Sequence, residues 1–231
     1  MKWLYSCAFF LFCQQSLADN IVINGTRFIY PGDAREITVQ LSNKADRPAL
    51  AQVWIDDGNA ALTPEQISVP FVITPPVARL EANGGQTVRV HFQGAQLPQD
   101  RESLYWLNVL DIPPAPTDSA EDNYVQLAIR SRLKLFYRPA GLPNRTQAVQ
   151  QMMWKAVPGG VRIDNPTPFY ITVTEIFPEA GDESLSHDAN MIAPFSQQHV
   201  SLDTPLSAGQ KIRFMNINDY GSSNSSMAVV E

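Results

Sequence analysis

The feature that most constrains this chain is strict alternation of apolar and polar residues over short runs. Ile37, Val39 and Leu41 alternate with Glu36, Thr38 and Gln40, and Val88, Val90 and Phe92 alternate with Thr87, Arg89 and His91. A period of two puts one apolar face on a half-buried strand. Further strands are expected at 21–29, 50–55, 69–73, 104–112 and 124–137. Pro31-Gly32-Asp33, Asp57-Gly58-Asn59 and Asn83-Gly84-Gly85 supply turns between them. No segment sustains helical spacing between caps. The 18 prolines and 12 glycines suit short strands better than long helices. The spacing therefore predicts an all-β chain, with seven short strands in about 120 residues forming an immunoglobulin-like sandwich.

The segment 138–144, Arg-Pro-Ala-Gly-Leu-Pro-Asn, breaks the pattern and reads as a linker. Beyond it, strand-like runs resume at 160–163, 169–177, 199–202 and 211–217. A second, shorter sandwich is expected there. The organisation is then 1–18, 19–138, 139–145 and 146–231: a leader, a first sandwich, a linker and a second sandwich.

The leader reading rests on Lys2, a run of ten apolar-dominated residues from Leu4 to Cys13, and the small-residue site Ser16-Leu17-Ala18. These are the parts of a cleaved secretory signal, and ten residues are too few to span a bilayer. Cys7 and Cys13 are the two cysteines of the chain. The mature protein would enter an oxidising compartment without a disulfide, and its fold must rest on its cores. No later stretch is apolar for long enough to cross a membrane, so no membrane insertion of the mature chain is expected.

Net charge is −6, from 17 basic and 23 acidic side chains, without a basic block. That composition argues against a nucleic-acid partner. Three histidines and no cysteine in the body make zinc chemistry improbable, and no cofactor or metal is expected. The Gly-x-Ser-x-Gly, phosphate-loop and His-Glu-x-x-His motifs are absent, so no enzyme is expected. Asp56-Asp57, and Asp100 with Glu102, are acidic pairs a glycosidase could use. In turns they read as solvated side chains. Trp54, Tyr105 and Trp106 could serve a secreted carbohydrate-binding or adhesive sandwich, the alternative function, but within strands they read as core. Asn24-Gly25-Thr26, Asn144-Arg145-Thr146 and Asn224-Ser225-Ser226 match the glycosylation triplet and carry no weight.

The segment 124–137 is unusual. Val125, Leu127 and Ile129 share one face, continued by Leu133 and Leu135, and the other face carries Gln126, Arg130, Arg132 and Lys134. Fourteen residues is long for a strand. On pattern alone two readings stand: the apolar face fills its own core, or it forms an edge that pairs with another chain.

The run Arg132-Leu133-Lys134-Leu135-Phe136-Tyr137-Arg138-Pro139 resembles a signature of the periplasmic pilus chaperones of Gram-negative bacteria. The likeness continues in the family's order. It runs through Thr26-Arg27-Phe28-Ile29-Tyr30, Pro70-Phe71 with Thr74-Pro75-Pro76, 97–103, Trp106-Leu107-Asn108 and Ile112-Pro113-Pro114. In the second block it includes Asn165-Pro166-Thr167-Pro168, 191–196 and Ile217-Asn218-Asp219-Tyr220-Gly221. The short connection 115–123 resembles the short-loop members serving rod-like pili. Phe28 departs from the pattern, standing where many relatives carry a smaller aliphatic residue.

The resemblance implies two immunoglobulin-like β-sandwich domains in an L or boomerang arrangement. It implies a periplasmic chaperone that stabilises pilin subunits by donating a β-strand and delivers them to an outer-membrane usher. Val125, Leu127 and Ile129 would fill the subunit groove. Arg27 and Lys134 would anchor the subunit's C-terminal carboxylate. Glu102, Arg138 and Asp219 would form an ionic network between the domains. An uncapped lending strand could also be covered by self-association without cargo.

Overall fold

The computed structural model describes residues 21–114, 126–186 and 188–231. The expected leader, the 115–123 connection and Val125 lie outside them. The first unit contains β1 (Ile21–Ile23), β2 (Arg27–Pro31), β3 (Glu36–Asn43), β4 (Ala49–Asp56), β5 (Phe71–Thr74), β6 (Val77–Leu80), β7 (Gly85–Phe92), β8 (Ser103–Ile112) and β9 (Ile129–Arg138). One sheet has the order β1-β3-β7-β5 and the other β2-β9-β8-β4-β6. Their inner faces form one core that includes Tyr30, Val39, Leu41, Val53, Val88, Val90, Leu107, Val109 and Leu135. The alternation of β3 works as expected: Val39 and Leu41 are fully buried while Glu36, Thr38 and Gln40 face water.

The single strand expected at 21–29 is instead two. β1 pairs antiparallel with β3, and β2 pairs parallel with β9 in the opposite sheet. Gly25, at φ 137°, makes the crossing between sheets. A positive φ of this kind ends a ladder and favours glycine, a break that apolar periodicity does not register. The strand expected at 124–137 is also shorter where described. β9 begins at Ile129, and residues 126–128 lie exposed ahead of it.

After a short helix, α1 (Arg145–Ala148), the second unit contains β10 (Met153–Val157), β11 (Gly160–Asn165), β12 (Ile171–Pro178), β13 (Asn190–Ile192), β14 (Ser196–Ser201), β15 (Lys211–Ile217) and β16 (Ser223–Val229). The sheets are ordered β10-β11-β14 and β13-β12-β15-β16. Their core, built on Trp154, Val161, Ile163, Phe169, Ile171, Ile176 and Phe214, is separate from the first. β10, β13 and β16 were not expected. β16 reads Ser-Asn-Ser-Ser-Met-Ala-Val and is an edge strand, so polar residues on its open side cost nothing.

Both sandwiches tie their strand ends with a buried asparagine. The Nδ2 of Asn43 donates to the carbonyls of Arg47, Leu80 and Glu81, and that of Asn165 to those of Phe169, Ile192 and Ala193. Such bonds satisfy carbonyls at strand ends and in the adjoining loops.

Candidate functional site: an open strand edge beside a basic cleft

β9 changes character along its length. Leu135 and Tyr137 lie in the first core. On the same face toward the N-terminal end, Ile129 is 38% exposed, and Leu127, just before the strand, is 71% exposed. On one side β9 pairs with β8 from Ile129 to Tyr137. On the other, β2 covers it only from Lys134 to Arg138. Among the described residues, 129–133 therefore present an unpaired backbone edge carrying an apolar side chain. Such an edge is a template for a further strand.

The covered half of the edge leads into a cleft between the two units. Arg27 on β2 is the register partner of Lys134 on β9. Among the described residues, neither side chain forms a hydrogen bond or ion pair, and the buried Nε of Arg27 has no partner. The Arg27 guanidinium lies 5.9 Å from the Phe136 ring, and the Lys134 ammonium 5.9 Å from the Trp106 ring. Burial, then the neighbouring Arg27, pushes the Lys134 ammonium below its ordinary range. Burial also lowers Arg27, with Arg145 adding to the effect and Asp219 and Glu102 opposing it. Two partly desolvated like charges repel, and an incoming anion would relieve both.

Deeper in the cleft the charges are paired. Nε of Arg138 donates to Glu102 (2.8 Å), and its two terminal nitrogens donate to the carboxylate of Asp219 (2.8 and 2.9 Å). Glu102 also accepts from the backbone N–H of Tyr170 (2.8 Å), while its own N–H donates to the carbonyl of Pro168 (2.9 Å). Glu102 and Arg138 stand on or beside strands of the first sandwich, and Asp219 follows β15 of the second. Burial raises the pKa of Glu102 despite Arg138. For Asp219, burial pushes upward, but the hydrogen bonds and charge of Arg138, with Arg145 and Arg27, hold it below the ordinary carboxylate range. The rings of Phe136 and Tyr170, 5.6 Å apart, extend this contact.

One member of the cluster was missed in the sequence. Arg145 opens α1, bonds Asp219 (3.1 Å) and donates to the carbonyl of Ile217 (3.1 Å). It stood at the end of the expected linker, inside a triplet given no weight, and no local pattern marks it. Among the described residues the cleft thus holds four cations, Arg27, Lys134, Arg138 and Arg145, against the two carboxylates Glu102 and Asp219.

Two readings of the sequence need correction. Asp56 and Glu102 are not solvated turn carboxylates: Asp56 is fully buried and held by Arg132, Asn108 and the N–H of Gly58, and Glu102 is buried between Arg138 and the N–H of Tyr170. Trp54 and Trp106 are only partly buried and are not core residues. Arg130 lies over Trp54 (4.9 Å), and Arg132 over Trp106 (4.2 Å). Their strand faces point away from the core, and the arginines of β9 cover them. Tyr105 does lie in the core. Among the described residues no group of three or more acidic, histidine or cysteine side chains could hold a metal, and no helix is long and apolar enough to cross a membrane.

An open strand edge ending in unpaired cations suits capture of an extended chain terminus. Residues 20–143 match the family model of pili and flagellar-assembly chaperones, PapD N-terminal domain, and residues 147–228 match that of the pili assembly chaperone PapD, C-terminal domain. This chain belongs to the pili assembly chaperone family.

The chaperone is 49% identical to chaperone protein MrkB of Klebsiella pneumoniae over 221 residues, covering 94% of each chain. It is 42% identical to chaperone protein HifB of Haemophilus influenzae, covering 95% of this chain and 91% of the other. Among solved structures, the CupB2 chaperone of Pseudomonas aeruginosa matches with a TM-score of 0.79 at 37% identity, over 91% of this chain and all of the other. Because that match spans both sandwiches, the two-domain arrangement of the pilus chaperones is shared as well. The SafB chaperone of Salmonella enterica, solved in complex with the SafA pilin, matches with a TM-score of 0.76 at 26% identity, over 90% of this chain and 95% of the other. The family is one of chaperones, not of enzymes.

Proposed function

We propose that this chaperone holds a pilin subunit in the periplasm by adding β9 to the subunit's sheet, and passes the subunit to an outer-membrane usher. The observation that carries this reading is the exposed apolar face of Leu127 and Ile129 on an edge that β2 leaves open, running into the unpaired cations Arg27 and Lys134. A sandwich lacking a strand exposes an apolar groove and unpaired backbone groups. Strand addition satisfies the backbone, and alternate side chains fill the groove. Each aliphatic side chain so buried contributes about 1.5–3 kcal/mol before ordering costs. Val125 continues the same period and is assigned the same role.

Arg27 and Lys134 receive the subunit's C-terminal carboxylate. A chain end is a unique point, so anchoring it selects one register, and a slip of one residue would turn Leu127 and Ile129 out of the groove. The Arg138 network with Glu102, Asp219 and Arg145 sets the angle of the cleft and does not grip the subunit. Without cargo, a second copy of the chaperone covers the open edge. Carbohydrate binding is disfavoured because Arg130 and Arg132 already occupy a face of Trp54 and of Trp106.

Periplasmic co-expression of the tagged chaperone with the pilin encoded beside it tests this reading. Wild type should yield a one-to-one complex. Ile129→Asp, which places a charge in the groove but leaves the cleft intact, should yield none while remaining folded. Equal recovery with both would remove β9 from the interface.

A further inference from the structure

The open half of β9 has one neighbouring strand where a central strand has two, yet it is held from a second direction. Its even-numbered side chains reach back across β8 to β4. Arg132 faces Asn108 on β8, and Asn108 faces Trp54 on β4. The guanidinium of Arg132 donates twice to Asp56, through Nη2 (2.5 Å) and Nε (3.1 Å). Asn108 donates to the same carboxylate (2.8 Å), and its own Oδ1 accepts from Nε and Nη2 of Arg130 (2.9 and 2.8 Å). Arg130 also donates to the carbonyl of Ala60 (2.9 Å). The N–H of Gly58 completes the shell of Asp56 (2.8 Å). Trp54 and Trp106 lie beneath the two guanidinium planes.

This cluster sits on the face of β9 opposite Leu127 and Ile129, clear of the side chains assigned to the subunit. A two-pronged bond between a guanidinium and a buried carboxylate has one geometry. A one-residue slip of β9 would turn Arg132 to the wrong face and break it. Ordering the strand in advance removes an entropic cost that binding would otherwise bear.

We propose that Asp56 is a positioning residue for strand lending: through Arg132 and Arg130 it keeps the open half of β9 extended and in register before a subunit arrives. The inference rests on the pilin-holding function proposed above.

The test compares amide hydrogen exchange at residues 129–133 of the free chaperone with the dissociation rate of its pilin complex. Asp56→Asn preserves shape and removes the charge. It should speed exchange at 129–133 by about tenfold or more while β3, β7 and the second sandwich keep their protection. It should also speed pilin dissociation by about tenfold. Arg132→Gln should reproduce both effects, and the double variant should be no worse than either single one. Lys134→Ala should weaken pilin holding without changing exchange. Unchanged exchange at 129–133 would overturn the proposal, as would a uniform rise across the first sandwich or faster exchange with unaltered pilin dissociation. If Asp56→Asn does not fold, Arg132→Gln alone decides. If the wild type itself holds no pilin while 129–133 remain protected, the chaperone function falls, and this role with it.

Discussion

Arg27 and Lys134 face each other across the parallel pairing of β2 with β9, and among the described residues neither has a hydrogen-bonding or ionic partner. The other described cations of the cleft are paired: Arg138 with Glu102 and Asp219, and Arg145 with Asp219. The cleft therefore separates into a closed ionic clasp and an open pair of charges. The clasp can set the geometry of the two sandwiches. The open pair is what an incoming carboxylate would find.

If the open pair holds the subunit, that holding should be sensitive to alkali. Burial and Arg27 hold Lys134 below its ordinary pKa of 10.5. A carboxylate anchor on Lys134 would require the protonated ammonium, so affinity should be full at neutral pH and fall as pH rises through the lowered Lys134 pKa. The decline should begin below pH 10.5 and be absent in Lys134→Ala. Binding isotherms across alkaline pH check this, and a wild-type profile parallel to that of the variant would contradict it.

Breaking the clasp should be costly. Glu102→Ala would leave the Tyr170 N–H without its acceptor and remove one of the two carboxylates that balance Arg138. Removing one partner of a buried pair typically costs about 3–5 kcal/mol. Urea unfolding should show that loss, with the two sandwiches unfolding less cooperatively. A change inside the error of the midpoint would argue that the clasp is slack.

Acid should weaken the other end of the clasp. Asp219 has its pKa lowered from 3.8, because Arg138, Arg145 and Arg27 outweigh its burial. Its contribution is therefore present above pH 3.8 and is lost as pH falls from there toward the folded-state value. Asp219→Asn should be less stable than wild type at pH 7, and the gap should narrow as pH drops through that window. A gap independent of pH would mean the charge plays no part.

One glycine lies two residues beyond Asp219 of the clasp. Gly221 has φ 83°, and a Cβ there would collide with Oγ1 of Thr26, next to Arg27. Gly221→Ala should destabilise by about 1–3 kcal/mol. Thr26→Ala should recover the steric part and leave the backbone part, which thermal unfolding of the double variant would measure. Full stability of Gly221→Ala would show that the hairpin end is free to move.

The legible parts of this chain are those governed by local period. Val39, Leu41, Val88 and Val90 announce their burial because alternation along one strand decides which face meets the core. The split of β1 from β2 at Gly25 was hidden, because apolar residues continue on both sides of the switch between sheets. Asp56 was misread because its burial comes from arginines 74 and 76 positions away, joined to it only by strand pairing. Arg145 carries no signal at all, since its partner Asp219 arrives from the far end of the second sandwich. Arg27, Lys134, Glu102, Arg138 and Asp219 were singled out by resemblance to the chaperone family. Periodicity could not have brought Arg27 opposite Lys134.

The open charge pair is proposed to read a chain end. Calorimetric titration of a synthetic peptide carrying the pilin's C-terminal sequence, once with a free carboxylate and once as the amide, tests it most directly. Losing one partner of a desolvated charge pair typically costs about 2–5 kcal/mol. Wild type should bind the acid at least about tenfold more tightly than the amide. Lys134→Ala should lose most of that preference. Equal binding of the acid and the amide by the wild type would contradict it.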